Sequence, residues 1–418
     1  MAEIEELTRR YFRLKTRSII AQKNQLIKKG VTPLEEKIRE SSRVRAHSSS
    51  SAPVLASVPV GENNYITETS LCKDSFSDSD REVFGKFAPK HRLNEALSDS
   101  YSRIGFFEKV NPVFDCGSFL IYRAPLSDNG EVGKSKLYRA NFCKDRLCPT
   151  CAYRRELKVF SEVSKAFDSI YRDGGRYEYI FLTLTVPSVE GEKLVETISR
   201  MQKAFVLLSN RRPFKKACRG YFKALEITVN KDRRSKSFGL YHPHFHVILA
   251  MDSDYYTKES RKYIPHSAWL KMWQESYNDF NIKFVNVEAV KASDIGLVEE
   301  GSAAPVEVTS KAVAEVCKYA CKSADYLLDK DTAETDRRVE TLSRALKNRR
   351  LIDMSGVFRK ALAGSGVDDP DDLHLNGGIN PALSYLVRVY NWHIGISNYS
   401  LTDEHIEKGI ELIKEYEK

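Results

Sequence analysis

From residue 155 onward the apolar positions switch between the three-to-four-residue spacing of a buried helix face and the two-residue spacing of a strand. Residues 156–168 carry the helical spacing, and residues 177–186 alternate β-branched and aromatic side chains as a central strand does. Residues 192–208 are helical again. Residues 223–229 and 243–251 form two further strands, and the basic turn at 230–239 that joins them predicts an antiparallel pair. Trp269, Trp273 and Tyr277 recur at helical spacing and are expected in the core first, as a base-stacking surface second. Residues 310–328 read as one amphipathic helix and the acid-rich stretch 403–418 as another. This order of elements predicts an α/β (α+β) fold with an antiparallel central sheet flanked by helices.

Upstream the pattern changes twice. Residues 1–45 read as a charged helical appendage, with Leu7, Tyr11 and Leu14 at helical spacing and a break near Gly30 and Pro33. Residues 46–84 are rich in Ser, Pro, Val and Asp and read as a flexible linker. The remaining chain divides into a cysteine-bearing segment at 85–158, a main domain at 159–330, and a basic then helical C-terminal region at 331–418.

The alternation brings candidate chemistry to one face of a strand. His244 and His246 point the same way while Phe245 points into the core, so two imidazoles stand side by side. Along the partner strand Leu225, Ile227 and Val229 share a face, leaving Glu226 on the other as a candidate third metal ligand; His242 is held in reserve. Two imidazoles and a carboxylate suit Mg²⁺ or Mn²⁺ with open positions. On the expected helix, Glu315 and Tyr319 lie one turn apart with Lys322 a turn further, so a carboxylate, a phenol and an ammonium converge; Tyr326 returns to roughly the same face.

Three segments in fixed order carry a resemblance: Phe181-Leu182-Thr183-Leu184-Thr185, His242-Pro243-His244-Phe245-His246, and Glu315 through Tyr319 to Lys322. Together they resemble the HUH endonucleases, specifically the single-tyrosine replication initiators (Rep proteins) of rolling-circle plasmids, over roughly residues 85 to 395. The resemblance implies that His244, His246 and Glu226 hold the catalytic metal and that Tyr319 is the nucleophile. It also implies the activity: nicking of one DNA strand at a plasmid origin, a 5′-phosphotyrosyl intermediate and a freed 3′-hydroxyl primer. Lys322 would neutralise phosphate charge, and Glu315 would act as general base for the closing cleavage. A related HUH transposase or mobilisation relaxase would use the same motifs. A non-enzymatic zinc-containing DNA-binding regulator is the alternative of another class.

Cysteine spacing adds a second site. Cys148 and Cys151 form a two-residue knuckle, Cys143 lies five residues before it and Cys116 further upstream, a set able to close a tetrahedral structural Zn²⁺ site. Basic residues cluster at Arg211, Arg212, Lys215 and Lys216, at Arg233 and Arg234, and at Arg349 and Arg350, and are expected to contact DNA around the metal-site strands. The net charge of +9 is mild over 418 residues, so its distribution matters more than its total. Origin DNA, single-stranded at the nick, is the expected partner; host helicase, host polymerase and a second copy of the chain are further candidates. A hydrophobic content of 42% suffices for a core, while no apolar run approaches the ~20 residues of a membrane helix, and a cytoplasmic protein is expected.

Overall fold

The computed structural model describes residues 77–290, 311–317, 320–328, 331–364, 373 and 379–416. The expected appendage at 1–45 and nearly all of the expected linker lie outside the described residues, as does Tyr319.

Five strands build the main sheet: β3 (Tyr177–Thr185), β4 (Cys218–Val229), β5 (Tyr241–Asp252), β6 (Val285–Val290) and β7 (Ile352–Ser355), in the order β6-β3-β5-β4-β7 and antiparallel throughout. β5 is central and buried along nearly its whole length, because β3 and β4 flank it and helices pack on both faces. On one face Leu182, Leu184, Leu225, Ile227, Phe245, Val247 and Leu249 pack against two helices, α3 (Gly191–Ser209) and α4 (His266–Tyr277). Trp269 and Trp273 are fully buried there, and the Trp273 indole donates to the Thr185 carbonyl at 2.7 Å.

The opposite face is covered only in part. Phe181, Phe222, Ile248 and Ala250 lie beneath α2 (Pro149–Arg172), α5 (Lys311–Cys317) and α8 (Gly356–Ala361). Pro149 at the first helical position and the Cys148 thiol as N-cap start α2, and Val159, Val163, Phe167 and Ile170 give it one apolar stripe. Beyond these helices, at the end of β5 nearest its start, the same face carries His244 and His246.

A second antiparallel sheet has the order β2-β1-β8-β9, from β1 (Phe119–Leu126), β2 (Lys136–Ala140), β8 (Ser384–His393) and β9 (Asn398–Lys408). It packs against α1 (Ala88–Arg103) through Tyr390, Tyr399, Leu120 and Tyr122. Residues 76–418 thus form one compact unit, and the expected divisions at 158 and 330 do not follow the sheets. Strand β7 joins the main sheet and β8–β9 join the cysteine-bearing segment, while α7 (Thr332–Leu346) packs on α1 and α3.

Two expected helices are corrected. Residues 398–408 are a strand, and helix α9 begins only at Gly409 (Gly409–Tyr416); full-length pairing with β8 overrides the helix preference of the acidic residues. The helix expected over 310–328 is broken. α5 ends at Cys317, Lys322 is extended (φ −78°, ψ 138°), and a short α6 (Ser323–Tyr326) follows. The Ala320 carbonyl accepts the Ile227 N–H at 2.7 Å, so the backbone here bonds to the β4 edge instead of continuing a helix.

Candidate metal centre and nicking site

Glu226 lies directly opposite His244 in the β4–β5 register, and His246 lies opposite Ala224 on one side and Thr183 on the other. Both imidazoles turn Nε2 to a single oxygen, Glu226 Oε2, at 3.3 Å from His244 and 2.9 Å from His246. All three side chains are buried. His244 Nδ1 faces the His242 carbonyl at 3.1 Å, an acceptor only, so Nδ1 carries the hydrogen and Nε2 is left bare. A bare nitrogen facing a carboxylate oxygen calls for a cation between them, a proton or a metal ion. Thr183 Oγ1 lies 3.3 Å from His246 Nδ1, and the Phe181 ring stacks on the same imidazole at 5.4 Å. Burial pushes the Glu226 carboxyl upward, but hydrogen bonds with His244 and His246 outweigh it and hold the group well below the usual carboxylate range.

Lys322 reaches this carboxylate from the far side, its Nζ 3.6 Å from Glu226 Oε1. It does so from an extended segment, not from the helix face expected for it. Glu315 sits on α5, whose Val313, Val316 and Cys317 enter the core beneath the histidine strand. The expected one-turn spacing of Glu315 and Tyr319 falls outside the described residues. Tyr326 is fully buried, and its hydroxyl donates to the Leu147 carbonyl, which removes it as an alternative nucleophile. His242 stays apart from the cluster of possible ligands, its Nδ1 3.3 Å from Ser188 Oγ, and burial lowers its pKa.

Cys116, Cys143, Cys148 and Cys151 bring their sulfurs within 4.8 Å of one another. Cys151 Sγ lies 3.4 Å from Cys116 Sγ and 3.6 Å from Cys143 Sγ, close to the ~3.8 Å edge of a tetrahedron with 2.3 Å zinc–sulfur bonds. Backbone N–H groups of Cys143, Lys144 and Cys151 point at these sulfurs. Burial pushes the Cys116 and Cys148 thiols up, whereas at Cys151 burial is outweighed by hydrogen bonds from the neighbouring cysteines and the charge of Arg155, which hold the thiol down. Asn94 supports the cluster from α1, donating to the Cys116 carbonyl and Thr150 while accepting from Cys148.

The basic residues divide. Arg233 and Arg234 are exposed in the turn beyond β4, at the metal-site end, and Arg350 is exposed beside Leu351, whose carbonyl bonds to Leu225. Arg349 is tied to Ser199 and the Val195 carbonyl of α3, and Arg211 to Glu275 and Ser276 of α4. Arg212, Lys215 and Lys216 do not flank the site as expected. The short helix Arg212–Ala217 precedes β4, eight residues from Glu226, which is roughly 25 Å along the strand.

Sequence reasoning missed Thr183 and Asn94. Thr183 had a signal, since the Thr-Leu-Thr alternation puts hydroxyls on the histidine face; Asn94 had none, being far from the cysteines in sequence.

Residues 134–400 match the family described as Replication protein, Rep_1. The chain belongs to this replication protein family. The relatives agree. A "Protein rep" of a Bacillus sp is 33% identical over 66% of this chain and 87% of its own length. Another from Bacillus amyloliquefaciens is 32% identical over 81% of this chain and 98% of its own length. A third, from Streptococcus pneumoniae serotype 2, is 30% identical over 67% of this chain and 80% of its own length. No solved structure matches. Family membership bears out the likeness to plasmid Rep initiators read from the motifs, and a replication protein of this family acts on DNA.

Proposed function

We propose that this replication protein starts rolling-circle replication by nicking one strand of a plasmid origin, with Tyr319 as nucleophile. The observation that carries the reading is the pair of imidazole Nε2 atoms turned to one Glu226 oxygen, with Lys322 on the other oxygen of the same carboxylate. The donor set of two nitrogens and one carboxylate fits Mg²⁺ or Mn²⁺. Held by Glu226, His244 and His246, such an ion would polarise a phosphate oxygen as a Lewis acid.

The chain's own residues do the rest. The Tyr319 phenol oxygen attacks the phosphorus as it gives up its proton, forming a bond to the 5′ phosphate and breaking the bond to the 3′ oxygen, which takes up a proton and leaves as a hydroxyl able to prime synthesis. Tyr319 neighbours Ala320, which is hydrogen-bonded to the residue after Glu226. Lys322 balances phosphate charge when the substrate enters. Glu315 takes the proton from the water or hydroxyl that closes the cycle. The His242 carbonyl keeps His244 in one tautomer, and Thr183 orients the His246 ring. The four cysteines would hold a structural Zn²⁺ that fixes the start of α2.

The test is incubation of labelled single-stranded origin oligonucleotides with Mn²⁺, followed by denaturing gels. A protein-linked 5′ fragment that requires the metal and disappears in Tyr319→Phe is expected. Duplex binding with no covalent product under any metal would leave a non-enzymatic DNA-binding protein and sink the proposal.

A further inference from the structure

At the end of β5 away from the histidines the chain enters a loop, residues 253–265, containing three tyrosines. Tyr255 is buried and anchors the loop by accepting the Ile264 N–H at 3.1 Å. Tyr256 packs edge-on and Tyr263 tilted against it, their rings 4.9 and 5.6 Å from that of Tyr255 and 6.0 Å from each other, and they are 48% and 57% exposed. The helix Arg212–Ala217 joins the patch, because Lys216 Nζ donates to the carbonyls of Ser260 and Arg261.

The charges here are unequal. Asp252 is neutralised by Arg219 and Lys262, and Asp254 by Lys262. Arg212, Lys215, Lys258 and Arg261 are exposed and have no ion-pair partner among the described residues, against the exposed carboxylate of Glu259 and the half-buried carboxylate of Glu178, which acts on Tyr256. Two open aromatic faces ringed by spare cations combine base stacking with phosphate attraction. A duplex keeps its base faces covered, so the geometry favours a strand with unstacked bases.

We propose that this patch is a binding surface for single-stranded DNA, separate from the metal centre. Bases stack on Tyr256 and Tyr263, and Arg212, Lys215, Lys258 and Arg261 hold the backbone. The patch lies roughly 20 Å along β5 from His246, so a strand must extend several nucleotides beyond the nick to engage both. The inference rests on the chain acting on DNA, not on the nicking chemistry.

Fluorescence anisotropy on the full chain tests it, using a 20-nucleotide oligo(dT), a 4-nucleotide oligo(dT) and a blunt duplex. Replacing both rings (Tyr256→Ala with Tyr263→Ala) is expected to weaken the long oligonucleotide roughly tenfold or more and leave the duplex nearly unchanged. The paired Phe replacements should restore binding. Lys258→Ala with Arg261→Ala should flatten the salt dependence by about 0.7 in slope per residue. Unchanged oligo(dT) affinity in the Ala pair, equal losses on the duplex, or failure of the Phe pair to restore binding overturns the proposal. Because binding alone is read, these outcomes stand whether or not the protein nicks DNA.

Discussion

A bare imidazole nitrogen beside a carboxylate oxygen is unfavourable without a cation, and His244 presents this arrangement to the same Glu226 oxygen that His246 Nε2 faces. His244→Ala or His246→Ala should therefore abolish metal-dependent cleavage while leaving duplex binding largely intact; full activity of both variants in saturating Mn²⁺ would rule the centre out. Thr183→Val keeps every ligand but frees His246 Nδ1, and a 10- to 100-fold loss of Mn²⁺ affinity, read by titration, is expected. On the nucleophile segment, Tyr319→Phe should remove nicking and adduct together. Glu315→Gln should spare the first cut and let protein-bound DNA accumulate, and loss of the first cut in that variant would contradict the closing role. A different residue governs acid stability. His91 on α1 is stacked on Trp392 at 4.1 Å, neither ring nitrogen has a hydrogen-bond partner, and burial pushes its pKa down to about 4. The unfolded chain takes up the proton near pH 6.5, so this contribution is complete above that pH and is lost as pH falls from about 6.5 to 4. Urea midpoints should fall across that window by the equivalent of up to about 3 kcal/mol, and by clearly less in His91→Phe.

At the level of elements, the loop from Cys143 to Cys148 is the junction of the molecule. Asp145 accepts from Tyr101 and Lys109, Arg155 donates to the Lys144 and Asp145 carbonyls, and Tyr326 binds the Leu147 carbonyl just after Lys322. Purified protein is expected to contain about one tightly held zinc ion by elemental analysis, and folded, active protein without zinc would show the thiols to be merely buried. Tyr326→Phe leaves the Leu147 carbonyl unpaired and should cost about 1–3 kcal/mol in chemical denaturation without removing the covalent adduct. Much of this region was legible from sequence. The histidine pair and Cys143, Cys148 and Cys151 follow from two-residue alternation and knuckle spacing, both local signals, while Glu226 and Cys116 needed the neighbouring strand and an upstream segment. The break after Cys317 was not legible, because it depends on a backbone bond from Ala320 to Ile227, distant in sequence. Lys322 was picked out for the wrong geometry: the residue type suited the chemistry, but its approach to Glu226 comes from an extended segment. Strand β9 was misjudged for a related reason, since its acidic residues have no strand signal until β8 lies beside them.

For the whole molecule, charge position matters more than net charge. The basic residues expected around one site are spread over both ends of the main sheet, and sequence could not reveal this because strand direction decides which end each turn occupies. The second sheet was equally hidden, since its two halves come from opposite sides of the main sheet in sequence. Removing residues 384–418 takes away β8 and β9 and strips Tyr390 and Tyr399 from the core against α1. Such a truncation is expected to lose cooperative thermal unfolding and bound zinc together, although every proposed metal ligand is retained.

The pairing of β1 with β8 also has a temporal consequence. Phe119 meets Asn391, so roughly 270 residues must be synthesised between one strand and its partner. Such distant contacts raise the contact order and slow folding, and on the ribosome the cysteine-bearing segment waits beside an open strand edge until β8 emerges. Initiation competence would then require synthesis through β8: a chain interrupted before that strand carries the histidines and the tyrosine yet cannot close its second sheet.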